Sequence, residues 1–321
     1  MPTLIKDELI NKLPDGFKLN FYSDYDETQK IDVLKDSHFI LGFPRDFTVE
    51  NLKQCRNLKM VQLLSAGYDY FNVEAAAKIG VSVANNGGAN SVAVAEHTVM
   101  MILPLYKKLE EYQQALRKGI WHREKEHPLD LYELKGKQIG IIGFGNIGKN
   151  LAKCLKGFQV QVKYYDAIRY NEAEKELDVE FLELEELLKT SDIISIHVPL
   201  LKSTEKMIGA NELDVMKTSA ILINTARGGI VDEKALHKAL TKGKIAGAGL
   251  DVFENEHEIQ IGNYDGPLFK LKNTVVTPHY AGHTYDTWHR RIKNGYQNIV
   301  NYTKGKPQWI VNQHLLNLEN D

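Results

Sequence analysis

Residues Lys137 to Asp166 read KQIGIIGFGNIGKNLAKCLKGFQVQVKYYD. Gln138 to Ile142 is a short apolar run of strand type. It meets Gly143-Phe144-Gly145-Asn146-Ile147-Gly148, after which the apolar spacing turns helical through Ile147, Leu151, Cys154, Leu155 and Phe158. A second strand-type run, Val160 to Tyr165, ends on an acid, Asp166. Strand, glycine-rich turn, helix and parallel strand in this order are the first half of a dinucleotide-binding unit.

Each position has a physical task. Gly143 allows the tight turn out of the strand, Gly145 lets backbone approach a pyrophosphate, and Gly148 lets the helix lie close on the sheet. The helix start offers unpaired N–H groups and the positive end of its dipole to phosphate. Asp166, 18 residues past Gly148, stands where a carboxylate accepts both ribose hydroxyls of an adenosine. A carboxylate there repels the 2′-phosphate of NADP, so NAD is the expected cofactor. Arg169 is the one nearby group able to rescue a 2′-phosphate, and it reads as a solvated loop arginine.

The 321 residues suggest about two domains, and 43% apolar with 26% charged residues is ordinary for a globular chain. A formal net charge of −2 leaves no basic field for nucleic acid. The two cysteines, Cys55 and Cys154, are far apart and lack metal-type spacing, which reads as a reducing compartment and no metal. The N-terminal MPTLIKDELINKLPDG has acids where a signal peptide needs an apolar run, and no stretch approaches membrane-spanning length. The expected location is cytoplasmic.

Upstream of the turn, strand-like and helix-like segments alternate: strands at Leu19–Tyr22, Phe39–Phe43, Leu58–Leu64 and Val81–Ala84, helices at Glu27–Lys35, Val49–Cys55 and Val73–Ile79. Such alternation argues for a parallel α/β sheet. Ser65-Ala66-Gly67 follows a strand's carboxyl end, where small residues expose N–H groups fit to cradle a carboxylate. Asn90 or Ser91 caps a long helix running to about Arg117, kinked at Pro104, with Glu96 and His97 inside it as a structural polar pair. Lys118 to Leu134 has no clear period and reads as a connector lying on a surface such as a second subunit.

Downstream, three strand ends carry polar groups: Arg227 after Ile223, Asp251 after Leu250, and His279 after Thr277. In a doubly wound sheet these ends share the edge that faces the pyrophosphate turn. Reduction of a 2-oxo acid by hydride needs such a set. An arginine grips the carboxylate or polarises the keto oxygen, a protonated imidazole supplies the proton, and a carboxylate behind it fixes its orientation. Tyr285 to Thr303 reads as a last long helix and Gln308–Val311 as a short terminal strand.

Here the chain resembles the D-isomer-specific 2-hydroxyacid dehydrogenases. The resemblance rests on Leu64-Ser65-Ala66-Gly67, Asn90-Ser91-Val92-Ala93-Val94-Ala95-Glu96-His97, the GFGNIG turn and His197-Val198-Pro199-Leu200. It continues through Asn224-Thr225-Ala226-Arg227-Gly228-Gly229, Gly249-Leu250-Asp251-Val252-Phe253-Glu254 and Thr277-Pro278-His279. It implies Arg227 as the substrate-binding and catalytic arginine, and His279 as general acid and base paired with Glu256. Glu254 and Glu258 stand close in sequence, and only the family offset selects Glu256. Implied cofactor contacts are Gly143, Gly145, Asn146, Ile147 and Gly148, Asp166, Val198 and Pro199, Thr225, Ala226 and Arg227, Asp251 at the nicotinamide amide, and His279 to Gly282. Ser65, Ala66 and Gly67, with Arg227 and His279, would bind the substrate.

The resemblance further implies two doubly wound parallel-sheet α/β domains with a cleft between them. Residues 1–104 with 296–321 would form a flavodoxin-like substrate domain, and 105–295 a Rossmann NAD domain. A homodimer through the helix and connector after Asn90 is expected. His257 replaces the proline common after the catalytic glutamate, and Tyr280 and His283 stand where smaller or apolar residues are usual, with His283 the second candidate proton donor. Arg45 is a candidate partner for a substrate phosphate, and glyoxylate, hydroxypyruvate, pyruvate and 3-phosphoglycerate-type acids stay open. Two other readings share the motifs: an NADH-binding sensor or corepressor, and a related dehydrogenase acting on formate or phosphite.

Overall fold

The structure, a computed structural model, describes residues 2–42, 48–121, 130–254, 256 and 266–316. Arg45, His257, Glu258 and residues 122–129 of the connector lie outside the described residues. The chain forms two compact units, Met1–Asn90 with His283–Asp321, and Ser91–Gly282. The boundaries expected at 104/105 and 295/296 fall inside the helices Ser91–Lys107 and Tyr285–Thr303. Each of these helices belongs whole to one unit. Ala95, Met101, Ile102 and Tyr106 of the first join a core of the Ser91–Gly282 unit, whereas Ile292, Tyr296 and Ile299 of the second join a core of the other.

The discontinuous unit is built on a parallel sheet of β1 (Phe39–Leu41), β2 (Met60–Gln62) and β3 (Ser82–Ala84), in that order. Val61 and Leu63 face one core and Met60 the other, so the sheet is covered on both sides. The strand expected at Leu19–Tyr22 does not form: its end enters a 3₁₀ turn, Tyr22–Asp24, and Leu19 and Phe21 pack into the core without joining the sheet. The expected terminal strand is reduced to one antiparallel bridge, Ala84 to Ile310. Asn312 takes over that edge with its side chain, accepting from Val83 N–H at 2.8 Å and donating to Val81 O at 2.9 Å.

The continuous unit carries seven strands: β4 (Gln138–Ile142), β5 (Gln161–Tyr165), β6 (Val179–Phe181), β7 (Ile193–Ile196), β8 (Ile221–Asn224), β9 (Gly247–Leu250) and β10 (Thr274–Val276). They lie in the order β6-β5-β4-β7-β8-β9-β10, every neighbour parallel. Ile139 and Ile141 point into one core and Ile142, Ile194 and Ile196 into the other, the two-sided burial that a parallel sheet needs. The chain begins in the middle at β4, runs out to β6 and returns to β7. The order therefore reverses between β4 and β7, where open α/β sheets bind ligands.

The helix expected from Asn90 to Arg117 is two helices. Ser91–Lys107 contains Pro104, Lys108 takes a left-handed φ of 47°, and Leu109–Arg117 follows. A left-handed residue ends the regular i→i−4 ladder, so the break falls one turn beyond the proline. Two side chains cap helices: Asp232 accepts from Ala235 N–H before Glu233–Thr241, and Thr284 accepts from Thr287 N–H before Tyr285–Thr303. Helix Thr3–Asn11 and strand β6 have no counterpart in the sequence reading.

Candidate active site

Because β4, β5, β7, β8, β9 and β10 are parallel, their carboxyl ends share one edge of the sheet. The turn after β4 sits at the reversal in strand order. Gly143 takes φ 96°, and a Cβ on it would lie 2.6 Å from the His197 carbonyl carbon, so this turn is pinched against the end of β7. A Cβ on Gly148 would fall 2.4 Å from Gly143 O, which fixes the helix Asn146–Leu155 tight against the turn. Gly145 is different: a Cβ there would meet no protein atom within 4 Å. The open face above Gly145, at the start of a ten-residue helix, is the space a pyrophosphate needs.

Asp166, at the end of β5, accepts from Phe144 N–H at 2.7 Å and from Ile168 N–H at 3.2 Å. The acid thus braces the glycine turn while keeping lone pairs for a ribose. Arg169 is engaged elsewhere, in a two-pronged bond to Glu174 at 2.9 and 3.0 Å. At the end of β7, Ser195 Oγ lies 2.8 Å from His197 Nε2, while His197 Nδ1 is buried without a hydrogen-bond partner. Burial pushes this imidazole down to about 3, so it is neutral. Val198 and Pro199 follow it at the same edge.

At the end of β8, Asn224 organises the next turn: its Nδ2 donates to Arg227 O at 2.8 Å and its Oδ1 accepts from Ala226 N–H at 3.0 Å. Thr225 Oγ1 lies 3.3 Å from Thr98 Oγ1, and Arg227 Nη1 donates to Ala226 O at 2.7 Å. A Cβ on Gly228 would stand 1.9 Å from the Phe253 carbonyl carbon, so only glycine lets the Arg227 turn lie against the chain leaving β9.

That chain begins with Asp251, which has no exposed surface. Its Oδ1 accepts from Thr277 Oγ1 at 2.5 Å and Tyr280 N–H at 2.8 Å, and its Oδ2 from Ala281 N–H at 2.9 Å. The main-chain oxygen of Asp251 accepts from His279 N–H at 2.7 Å. One residue therefore grips the whole loop from Thr277 to Ala281. The carboxylate expected at the nicotinamide amide thus also holds this loop. His97 completes the anchor, with Nε2 3.0 Å from Thr277 Oγ1 and 3.6 Å from Asp251 Oδ1. Burial holds the His97 imidazole below its ordinary value, with the Asp251 charge pulling the other way.

His279 is held in the left-handed region at φ 58°, a conformation that costs a non-glycine residue of order ~1 kcal/mol and that the Asp251 bonds maintain. Its Nδ1 lies 2.7 Å from Glu256 Oε1, and Glu256 Oε2 accepts from Phe253 N–H at 3.4 Å. Glu254 instead uses its N–H on the carboxylate of Glu233. Burial, then the charges of Glu254 and Glu256, raise the Glu233 carboxyl above its usual range. The brace from Glu233 escaped the sequence reading because it joins the first residue of a helix to a loop 21 residues later. Tyr280 is exposed and Gly282 buried at the end of this loop.

In the discontinuous unit, Ser65 Oγ donates to Gly67 O at 2.7 Å and is hydrogen-bonded to Tyr70 Oη. Asn85 Nδ2 donates to Ala66 O at 2.9 Å, and Asn86 N–H to Ser65 O at 3.0 Å. Among the described residues, the N–H groups of Ser65, Ala66 and Gly67 meet no acceptor. His283 is exposed and belongs to this unit. Among the described residues, no group of three or more His, Cys, Asp or Glu could hold a metal ion, and no helix is long and apolar enough to cross a membrane.

Residues 99–281 match the family model of the D-isomer specific 2-hydroxyacid dehydrogenase NAD binding domain. A glyoxylate reductase from Thermococcus litoralis is 43% identical over 272 residues, covering 83% of this chain and 81% of that protein. A glyoxylate reductase from Korarchaeum cryptofilum is 37% identical over 314 residues, covering 96% and 93%. The solved D-lactate dehydrogenase of Aquifex aeolicus, complexed with NAD and lactic acid, superposes with a TM-score of 0.78 at 31% identity, covering 94% of this chain and 92% of that one.

Proposed function

The chain belongs to the D-isomer-specific 2-hydroxyacid dehydrogenase family and is an NAD-dependent oxidoreductase interconverting a 2-hydroxy acid and its 2-oxo acid; on that premise we propose that His279, paired with Glu256, is its general acid and base, and that Arg227 grips the substrate. The observation that carries this reading is the 2.7 Å bond from His279 Nδ1 to Glu256 Oε1, at the sheet edge that also carries Arg227 and the glycine turn. The space above Gly145, the helix start at Asn146 and Ile147, and Asp166 fit a dinucleotide. Val198, Pro199, Thr225, Ala226 and Gly282 would line its path along the same edge.

When bound, the cofactor supplies or accepts the hydride at carbon 2 of the acid. The protein's part is to hold the acid and move one proton. With Nδ1 bonded to Glu256, the His279 ring is fixed in orientation and Nε2 is left to pass a proton to the 2-oxo oxygen, or to take one from the hydroxyl. Asp251, Thr277 and His97 keep that ring in place through the loop. Arg227 would meet the carboxylate and the oxygen gaining charge. The free N–H groups of Ser65, Ala66 and Gly67 offer donors suited to a carboxylate.

NAD is preferred over NADP in this reading, since Asp166 opposes a 2′-phosphate and Arg169 is committed to Glu174. The unpaired cysteines Cys55 and Cys154 support a cytoplasmic setting. Exposed Leu109, Leu116, Ile120 and Trp121 support a homodimer through the second helix after Asn90 and the connector. The test is NADH oxidation against glyoxylate, hydroxypyruvate, pyruvate and a phosphate-bearing 2-oxo acid, repeated with NADPH. Turnover of at least one with NADH is expected; tight NADH binding with none turned over would favour the sensor reading, and turnover of formate or phosphite alone the other.

A further inference from the structure

Arg291 sits on the inward side of the helix Tyr285–Thr303, in the discontinuous unit, and is only 8% exposed. Among the described residues its guanidinium has no hydrogen-bond or ion-pair partner; it lies over the Trp288 ring, with the guanidinium carbon 5.1 Å from the ring centre. Burial pushes this guanidinium below its ordinary value, although an arginine stays charged at any pH a folded protein meets. The neighbouring Arg290 shows the ordinary solution, bonding Ala89 O at 2.8 Å and Thr287 Oγ1 at 3.3 Å. None of its nitrogens is among the described side-chain atoms that are both enclosed and unpartnered, so the guanidinium of this mostly buried residue keeps a face open to a ligand.

The surroundings say what would fill it. In the same unit, the Tyr70 phenol is hydrogen-bonded to Ser65 Oγ. Asn86 joins the two segments, its N–H donating to Ser65 O and its Nδ2 to Arg291 O, each at 3.0 Å. The base of Arg291 is thus one residue's width from a loop whose three N–H groups are free. Cation, hydroxyl pair and open N–H groups together offer places for two negative groups.

We propose that Arg291, with Tyr70 and Ser65, is an anion site that takes the second acidic group of the substrate, making the preferred 2-oxo acid one with a carboxylate or phosphate at its far end. This rests on the reading of Ser65 to Gly67 as the seat of the first carboxylate. Trp288 stacks on the guanidinium and holds it in place without neutralising it. The planar fork of the arginine suits a carboxylate or a phosphate equally, so the panel of substrates decides between them.

The experiment compares the full chain with Arg291→Met and Arg291→Lys. Steady-state rates with NADH are taken on glyoxylate and pyruvate, on oxaloacetate and 2-oxoglutarate, and on a phosphate-bearing 2-oxo acid. Arg291→Met should lower kcat/KM on the doubly acidic substrates about 10- to 100-fold more than on glyoxylate, chiefly through KM, with Arg291→Lys in between. Whichever class loses more identifies carboxylate or phosphate. An equal loss on every substrate, or none on any, overturns the proposal. So does a changed oligomeric state with unchanged substrate preference, which would place Arg291 at an interface. Thermal stabilisation of the cofactor-free chain by succinate and by inorganic phosphate keeps the test separate from catalysis: it should exceed that by acetate and vanish in Arg291→Met. If no 2-oxo acid is turned over yet this stabilisation is seen, the catalytic reading fails and the anion site stands; if neither probe stabilises the chain, the site fails.

Discussion

Glu256 Oε1 lies 2.7 Å from His279 Nδ1, across 23 residues of sequence. The pairing depends on two main-chain arrangements. The Arg227 turn lies against Phe253 through Gly228, and the His279 loop hangs on Asp251. The dyad is therefore a product of the ends of β8, β9 and β10 acting together.

Asp251 accepts three hydrogen bonds from the 277–281 loop with no exposed surface. Asp251→Asn keeps the shape but turns an NH₂ group toward N–H or O–H donors. Stability to urea should fall by about 1–3 kcal/mol. The rate should fall as His279 loses its position, with kcat lower by roughly 10- to 100-fold. Unfolding curves and kcat on the same preparation check both; an unchanged kcat would show that the loop holds His279 without this anchor.

Two glycines separate packing from cofactor binding. Gly145→Ala places a methyl group where no protein atom lies within 4 Å, so stability should change by less than about 0.5 kcal/mol while the Kd for NADH rises about tenfold or more. Gly228→Ala would drive a methyl group into the Phe253 main chain and should destabilise the fold by about 1–3 kcal/mol or more. Urea unfolding together with NADH fluorescence titration distinguishes the two outcomes.

His197 gives the fold a pH dependence. Folded, it stays neutral down to about 3; unfolded, it takes a proton near its ordinary 6.5. Between those values the unfolded chain binds a proton that the folded chain refuses. The contribution is complete above 6.5 and is lost as pH falls, by up to about 1.4 kcal/mol per pH unit. Urea midpoints from pH 7 to pH 4 should fall less steeply in His197→Gln, which cannot take up that proton.

The glycine turn and the doubly wound parallel sheet were legible because their signals are local: glycine spacing, an abrupt change of period at Ile147, and apolar runs that end on polar groups. Residues 227, 251 and 279 could be placed on one edge because parallel strands share a direction. Glu256 was not separable from Glu254 by spacing alone, since its identity depends on which acid faces His279. His97 reaches Thr277 across 180 residues through sheet pairing, which no local pattern reports. Arg291 reads as one more polar helical residue, and only packing reveals that it faces inward without a partner. Leu19 to Tyr22 has the composition of a strand, yet its apolar side chains pack below the sheet and the main chain does not join it.

The most direct test of the account is His279→Ala, assayed for kcat on whichever 2-oxo acid the wild type turns over, beside the Kd for NADH. The His279–Glu256 pair predicts a fall in kcat of about 10²- to 10⁴-fold with NADH affinity held within about threefold. Full turnover in the variant would contradict it and remove His279 from proton transfer.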